Sequence, residues 1–174
     1  NCAYDAMGTT MATYCGQNVG AIKLDRLGQG LRACSLLGLG YALLSFASIF
    51  FFAPQMALLF LNPGEEALIG HTAQYITTLG AFFFPLALVN ILRFSIQGMG
   101  FSNLAILAGV MEMFARMGVA TLLVPAIGYT GACFASPAAW ICADLFLIPA
   151  SCWSIAHLRR VYGQPGERSG SPAP

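Results

Sequence analysis

From Ala33 to Ala53 the chain carries no charge, only Leu, Phe, Ala, Gly, Ile and Cys interrupted by serines and Tyr41. About 20 apolar residues in a helix are enough to cross the ~30 Å hydrocarbon core of a bilayer. The rest of the sequence repeats the pattern. Ala67 to Leu92 holds only His71 as a group that charges near neutral pH, and Leu104 to Val124 and Gly131 to Ile155 are as apolar but carry ionisable residues inside. Hydrophobic residues make up 57% of the chain and charged residues 9%, against about 25% charged in an ordinary globular domain. Mean hydropathy is +0.71. The expected class is an all-α integral membrane protein with the lipid bilayer as its surrounding partner.

The expected spans are 33–53, 67–92, 104–124 and 131–155, with a partial one over 1–19. The partial span is rich in Gly, Ala, Thr and Cys. Small residues let helices approach closely in lipid, so this stretch reads as the end of a helix packed against protein. The chain starts at Asn1 with no signal-peptide pattern and reads as the carboxyl-terminal piece of a longer protein. Residues 1–162 are expected to form one transmembrane lobe, and 163–174, rich in Gly, Pro and Ser, are expected to be a disordered tail.

Basic residues fall on alternate connections. Lys23, Arg26 and Arg32 follow the first span, Arg93 opens the stretch 93–103, and Arg159 and Arg160 end the last span. The turns at 62–66 and 126–131 have none. By the positive-inside rule the basic connections and the carboxyl terminus are cytoplasmic.

Several function classes are excluded or weakened. A net charge of +1 without a basic cluster gives no reason for a nucleic-acid partner. No HExxH, GxSxG or P-loop is present, so the chain is not read as an enzyme. Its six cysteines, at 2, 15, 34, 133, 142 and 152, lack metal-like pairs and read as small buried hydrophobes, so no metal or cofactor is expected.

The informative residues are polar ones at membrane depth, which normally face a bundle interior and pair. Glu112 and Arg116 are four apart and share a helix face, where they can neutralise each other. Asp144 has no partner within a turn of its own helix. It must find one elsewhere, keep its proton or meet water. Asp5 is a similar candidate in the first span. Asp5, Asp144, Glu112 and Arg116 are therefore candidates for ion coupling or for a cavity. Gln17 and Asn18, bracketed by Gly16 and Gly20, read either as a polar helix end or as amides facing an aqueous cavity beside a thinned helix. With Arg93 and Gln97 they are candidates for a polar interior that touches cargo. Pro85, Pro125, Pro137 and Pro149 mark breaks in the helical runs. Phe82 to Phe84, Met111 and Met113 either form a loose apolar surface for mixed cargo or simply face lipid or pack.

The step around Gln17 and Asn18, the R-x-x-x-QGMG pattern from Arg93, and the E-x-x-x-R helix from Glu112 follow one another in order. Up to about Tyr162 the chain resembles the C-terminal half of a bacterial MATE (multidrug and toxin extrusion) transporter. The resemblance implies four full transmembrane helices plus the end of a preceding one, taken from a twelve-helix antiporter of two lobes. It also implies a missing N-terminal lobe as partner, a bacterial inner-membrane location, and alternating-access export of organic cations or drugs in exchange for H+ or Na+. A lipid-linked sugar flippase of the same superfamily would share the fold but needs a more basic cavity, for which only two arginines, Arg93 and Arg116, are available. A structural membrane subunit that does not transport is the other alternative, and a membrane enzyme would need catalytic residues upstream.

Overall fold

The computed structural model describes residues 2–58 and 66–162. The turn expected at 62–66, apart from the backbone of Glu66, and the tail at 163–174 lie outside them. The described residues form seven α-helices and no strand: α1 (Cys2–Gly20), α2 (Asp25–Leu58), α3 (Glu66–Ala81), α4 (Phe83–Gly98), α5 (Ser102–Ile127), α6 (Tyr129–Cys133) and α7 (Ala135–Tyr162). This all-helical result follows from the medium. A backbone in hydrocarbon must satisfy its own hydrogen bonds, and a helix does so within one segment.

Three stretches are long and apolar enough to cross a membrane as they stand: Asp25–Ala53, Ser102–Ile127 and the joined α6–α7 run Tyr129–Tyr162. A fourth is long enough only if a bent pair counts as one span, in which Ala67–Ala81 and Phe83–Gly98 meet at 52°. Each half is about 24 Å long at 1.5 Å per residue, too short to span alone. The single helix read over 67–92 is thus two. Pro85 is the cause: it has no N–H, and its ring displaces the carbonyl four residues back. That carbonyl belongs to Ala81, the last residue of α3. Phe82 turns the chain with φ −108° and ψ 21°, and its N–H donates to the Leu79 carbonyl at 3.0 Å. The other prolines break less than their number suggested. Pro125 and Pro149 lie inside α5 and α7, and Pro137 sits in the first turn of α7, where a missing N–H costs little.

Helix α4 is the centre of the bundle and packs against α1, α2, α5 and α7. Ile91, Ser95 and Ile96 are wholly buried. Its neighbours bring Met11 and Cys15 from α1, Leu27 from α2, Ala108 from α5, and Ala143 and Leu147 from α7 to the same core. The outer faces of α2 and α5 are largely apolar instead of charged. Leu36, Leu37, Phe50 and Phe51 on α2 and Ile106, Phe114 and Leu122 on α5 are exposed, as expected of side chains that meet acyl chains. Met111 and Met113 are exposed with them, and Phe84 lies at the border of exposure.

Helix α1 packs on α4 through small residues. A Cβ built on Gly98 would lie 2.3 Å from the Ala12 carbonyl oxygen and 2.7 Å from its Cα, and one on Gly8 would meet the Phe94 ring at 2.4 Å. The expected protein-packed role of the first span is visible on this face. At its carboxyl end α1 is continuous through Gly20, so neither glycine thins it. The reversal comes at Ile22, with φ 57°. The Ile22 N–H donates to the Val19 carbonyl at 3.0 Å and the Lys23 N–H to the Asn18 carbonyl at 2.8 Å, the paired bonds of a Schellman stop. Tyr14 then closes the α1–α2 corner, its hydroxyl donating to the Arg26 carbonyl at 3.0 Å while its ring covers Gly30.

The ends of the bundle are tied by different contacts. Arg159 and Asp25 pair at 3.4 Å, joining the 20–32 stretch to the end of α7. At the opposite end the Tyr129 hydroxyl donates to the His71 carbonyl at 2.9 Å, with the two rings edge to face.

The backbone of Ala12 cannot retreat as a flexible side chain would. Gly98→Ala is therefore expected to destabilise the bundle by roughly 1–3 kcal/mol, read as a lower midpoint of thermal denaturation in detergent. Gly40→Ala, with open space around the new methyl, should leave the midpoint unchanged.

Candidate functional site

The bend between α3 and α4 shapes one wall of a cavity of about 390 Å³. Tyr75 and Leu79 line it before the bend, and Phe83, Leu86, Asn90 and Arg93 after it. Other walls come from Asp5 of α1, Glu112 and Arg116 of α5, and Ser136 and Trp140 of α7. Within each helix these positions recur at intervals of three or four, the spacing of one helical face. Five helices thus turn one face each to a common space.

Its charge is organised by Glu112, which is buried. Oε1 accepts from Arg93 Nη2 on α4, and Oε2 accepts from Arg116 Nη2 one turn along α5 at 3.3 Å. The first bond joins two helices and the second lies within one. The Arg93 side chain is 25% exposed and that of Arg116 46%. Arg93 Nε is buried and has no hydrogen-bond partner among the described residues.

Arg93 was expected to open a loop at 93–103. It instead lies inside α4, because that helix runs on to Gly98, and the connection to α5 shrinks to Met99, Gly100 and Phe101. Gly100, at φ 93°, makes that turn. Arg93 therefore acts as a charge of the interior, and the basic residues at this end of the bundle are those of the 20–32 stretch and the end of α7.

Of the sequence candidates, Asp5, Arg93, Glu112 and Arg116 come together at the cavity. Asp5 is exposed and forms no ion pair among the described residues. Asp144 is buried, with Oδ1 unpartnered among the described residues. It lies one turn beyond Trp140 on α7 and does not line the cavity. Gln17, Asn18 and Gln97 lie toward the Asp25–Arg159 end, away from it. Gln17 and Gln97 are exposed, and the Asn18 amide donates to the Tyr14 carbonyl at 2.8 Å. Phe83 lines the cavity, whereas Phe82 packs edge-on against Phe134. Tyr75, Asn90, Ser136 and Trp140 were missed. A signal existed for the last two, since Ser136, Trp140 and Asp144 follow at intervals of four on one face of α7.

A family model described as MatE matches residues 5–128, and the chain belongs to that family. It is a family of transporters, which fits a multi-pass bundle of membrane-length helices. No curated protein and no solved structure matches the chain.

Because Glu112 holds two partners, the arginines are not equivalent to it. Sequence spacing alone made Arg116 the sole partner, whose loss would strand a buried carboxylate. With Arg93 present, Arg116→Gln should cost no more than about 1 kcal/mol, as a half-exposed pair does. Glu112→Gln leaves two neighbouring guanidiniums without their counter-charge and should cost roughly 3 kcal/mol. Thermal midpoints of the two variants in the same detergent test the order. Equal losses would refute the shared-carboxylate arrangement.

Proposed function

We propose that the chain is part of a secondary active antiporter that exports organic cations or drugs in exchange for H+ or Na+ by alternating access. The observation that carries this reading is a cavity with charged walls inside a multi-pass helical bundle of a chain that belongs to the MatE family. Charged groups at that depth are costly and mark ion or substrate pathways. Asp5, exposed and without an ion-pair partner among the described residues, supplies the acidic wall for a cationic cargo, and Tyr75, Phe83 and Trp140 supply aromatic faces that attract cations.

Asp144 is the coupling carboxyl in this proposal. No group of three or more His, Cys, Asp and Glu side chains forms among the described residues, so no such cluster surrounds Asp144. A single carboxyl suits a proton, which needs one oxygen, better than Na+, which needs several. Gaining or losing that proton changes the charge inside the bundle by one unit. The ion drives transport only if it binds one conformation better than the other.

A second lobe of the same transporter is the proposed partner. Along α1, Asp5, Thr9, Thr13 and Gln17 form an exposed row at intervals of four. The threonines return their hydroxyls to backbone carbonyls of their own helix, but Asp5 and Gln17 have no such bond among the described residues and are poorly suited to acyl chains. The Asp25–Arg159 contact supports a common, cytoplasmic side for the 20–32 stretch and the carboxyl terminus in a bacterial inner membrane.

One observation favours a lipid-linked sugar flippase as the second reading: Arg93 and Arg116, the arginines a phosphate headgroup would need, share one cavity. Glu112 neutralises one of them. Ethidium efflux from cells carrying the full-length protein, with and without an uncoupler, separates the readings. Uncoupler-sensitive efflux supports the antiporter, and its absence alongside headgroup translocation supports the flippase.

Asp144→Asn in the full-length protein should lower coupled efflux by a factor within the roughly 5- to 150-fold range of ordinary coupling energies, at unchanged membrane insertion. Normal efflux at equal protein levels would remove Asp144 from the mechanism.

A further inference from the structure

Arg93, Arg116 and Glu112 carry two positive charges and one negative, so the cluster has a net charge of +1. Its pairing leaves many donors free. A guanidinium has five N–H groups in a planar fork, and each arginine gives Glu112 one terminal nitrogen. Arg93 Nε is buried without a partner among the described residues. Asn90, Ser136 and Trp140, whose side chains bear further N–H and O–H groups, share the wall. Asp5 lines the same space without pairing with either arginine among the described residues.

The cluster's surplus cation, which Asp5 faces across the cavity without an ion pair among the described residues, favours an anion that can reach it. Two arginine forks beside each other fit the flat, two-oxygen edge of a carboxylate better than a point charge. The space, about 390 Å³, lies within the range of small-molecule sites.

We propose that Arg93 and Arg116 form an anion subsite in this cavity, which takes the carboxylate, or an equivalent oxyanion, of a small ligand, with Glu112 holding the two guanidiniums in place. The subsite rests on the transport reading only in that its ligand is then cargo; binding itself does not depend on it. Asp5 opposes the anion by charge. A ligand with both a carboxylate and an ammonium group therefore fits the cavity better than a simple cation.

The test is equilibrium binding of radiolabelled benzoate to the full-length protein in phosphatidylcholine nanodiscs, with benzylamine, the same ring with the opposite charge, as competitor. Benzoate should bind saturably and resist displacement by benzylamine. Arg116→Gln should weaken it by about tenfold or more, the effect of removing one member of a charge-assisted pair. Asp5→Asn, an exposed position outside the cluster, should strengthen it severalfold, and this variant decides the matter if Arg116→Gln does not fold. Unsaturable benzoate binding, or binding indifferent to both substitutions, overturns the proposal. Adding phosphatidylglycerol to the discs identifies the source of the anion. Loss of benzoate binding would assign the subsite to a lipid headgroup, and unchanged binding to a soluble ligand, both with the anion site intact. Ethidium efflux can be absent while benzoate binds, so the two readings fail separately.

Discussion

Charge inside a bilayer must be matched from within the protein, and here the matching is done by one carboxylate. Glu112 accepts from an arginine on its own helix and from one on α4. The bond within α5 fixes a rotamer, whereas the bond to α4 fixes how two helices face each other. Because α4 is also the helix on which α1, α2 and α7 pack, this pair helps position the walls of the cavity. A buried pair of this kind contributes little net stability, since desolvation offsets most of the attraction. Its effect is on geometry: it holds two guanidiniums at a cavity that would otherwise repel them from each other and from hydrocarbon.

The cavity owes its shape to a backbone defect. Without Pro85 the segment from Glu66 to Gly98 would have no reason to leave a straight path, and the faces that carry Tyr75 and Arg93 would lie along one rod. The bend of 52° sets α3 at an angle to α4, and residues on both sides of Phe82 line one space. The close approach of α1 to α4 at Gly98 and Gly8 then supplies a rigid neighbour for the lower half of the bent pair. The bend and the close packing act on different ends of α4.

Much of the fold was legible in the sequence because hydropathy reports directly on the medium. The uncharged run from Ala33 to Ala53 lies inside α2, and 104–124 inside α5, with both helices extending past the apolar limits. The Glu112–Arg116 pair was legible too, because spacing along a helix fixes which neighbours meet. Arg93 as the second partner was not, since contacts between helices leave no spacing signal and a basic residue near a predicted turn resembles a loop anchor. The split at Phe82 was half legible: Pro85 announced a disturbance without saying whether it would end the helix, as here, or be absorbed, as at Pro149. Gln17 and Asn18 drew attention through their glycines. Yet the turn they precede is made at Ile22, a residue that no rule for positive φ would have selected.

Asp144 and the cavity are separate in space but share a helix face. Ser136 and Trp140 look into the cavity from α7, and Asp144 follows one turn later, buried against the packed side of the same helix with Ala143 and Leu147. A change of charge at Asp144 therefore acts on the seating of α7, and any rotation or shift of α7 moves Trp140 relative to Arg93 and Glu112. Under the proposed function, that is a physical route from an ion site to a cargo site without direct contact between them. It requires α7 to have two seatings of similar energy, because a helix with only one would absorb the charge as lost stability instead of moving. A coupling carboxyl placed in the cavity would compete directly with cargo for the arginines. One placed a turn away, on the helix that carries a cavity wall, can favour release while leaving the walls chemically unchanged.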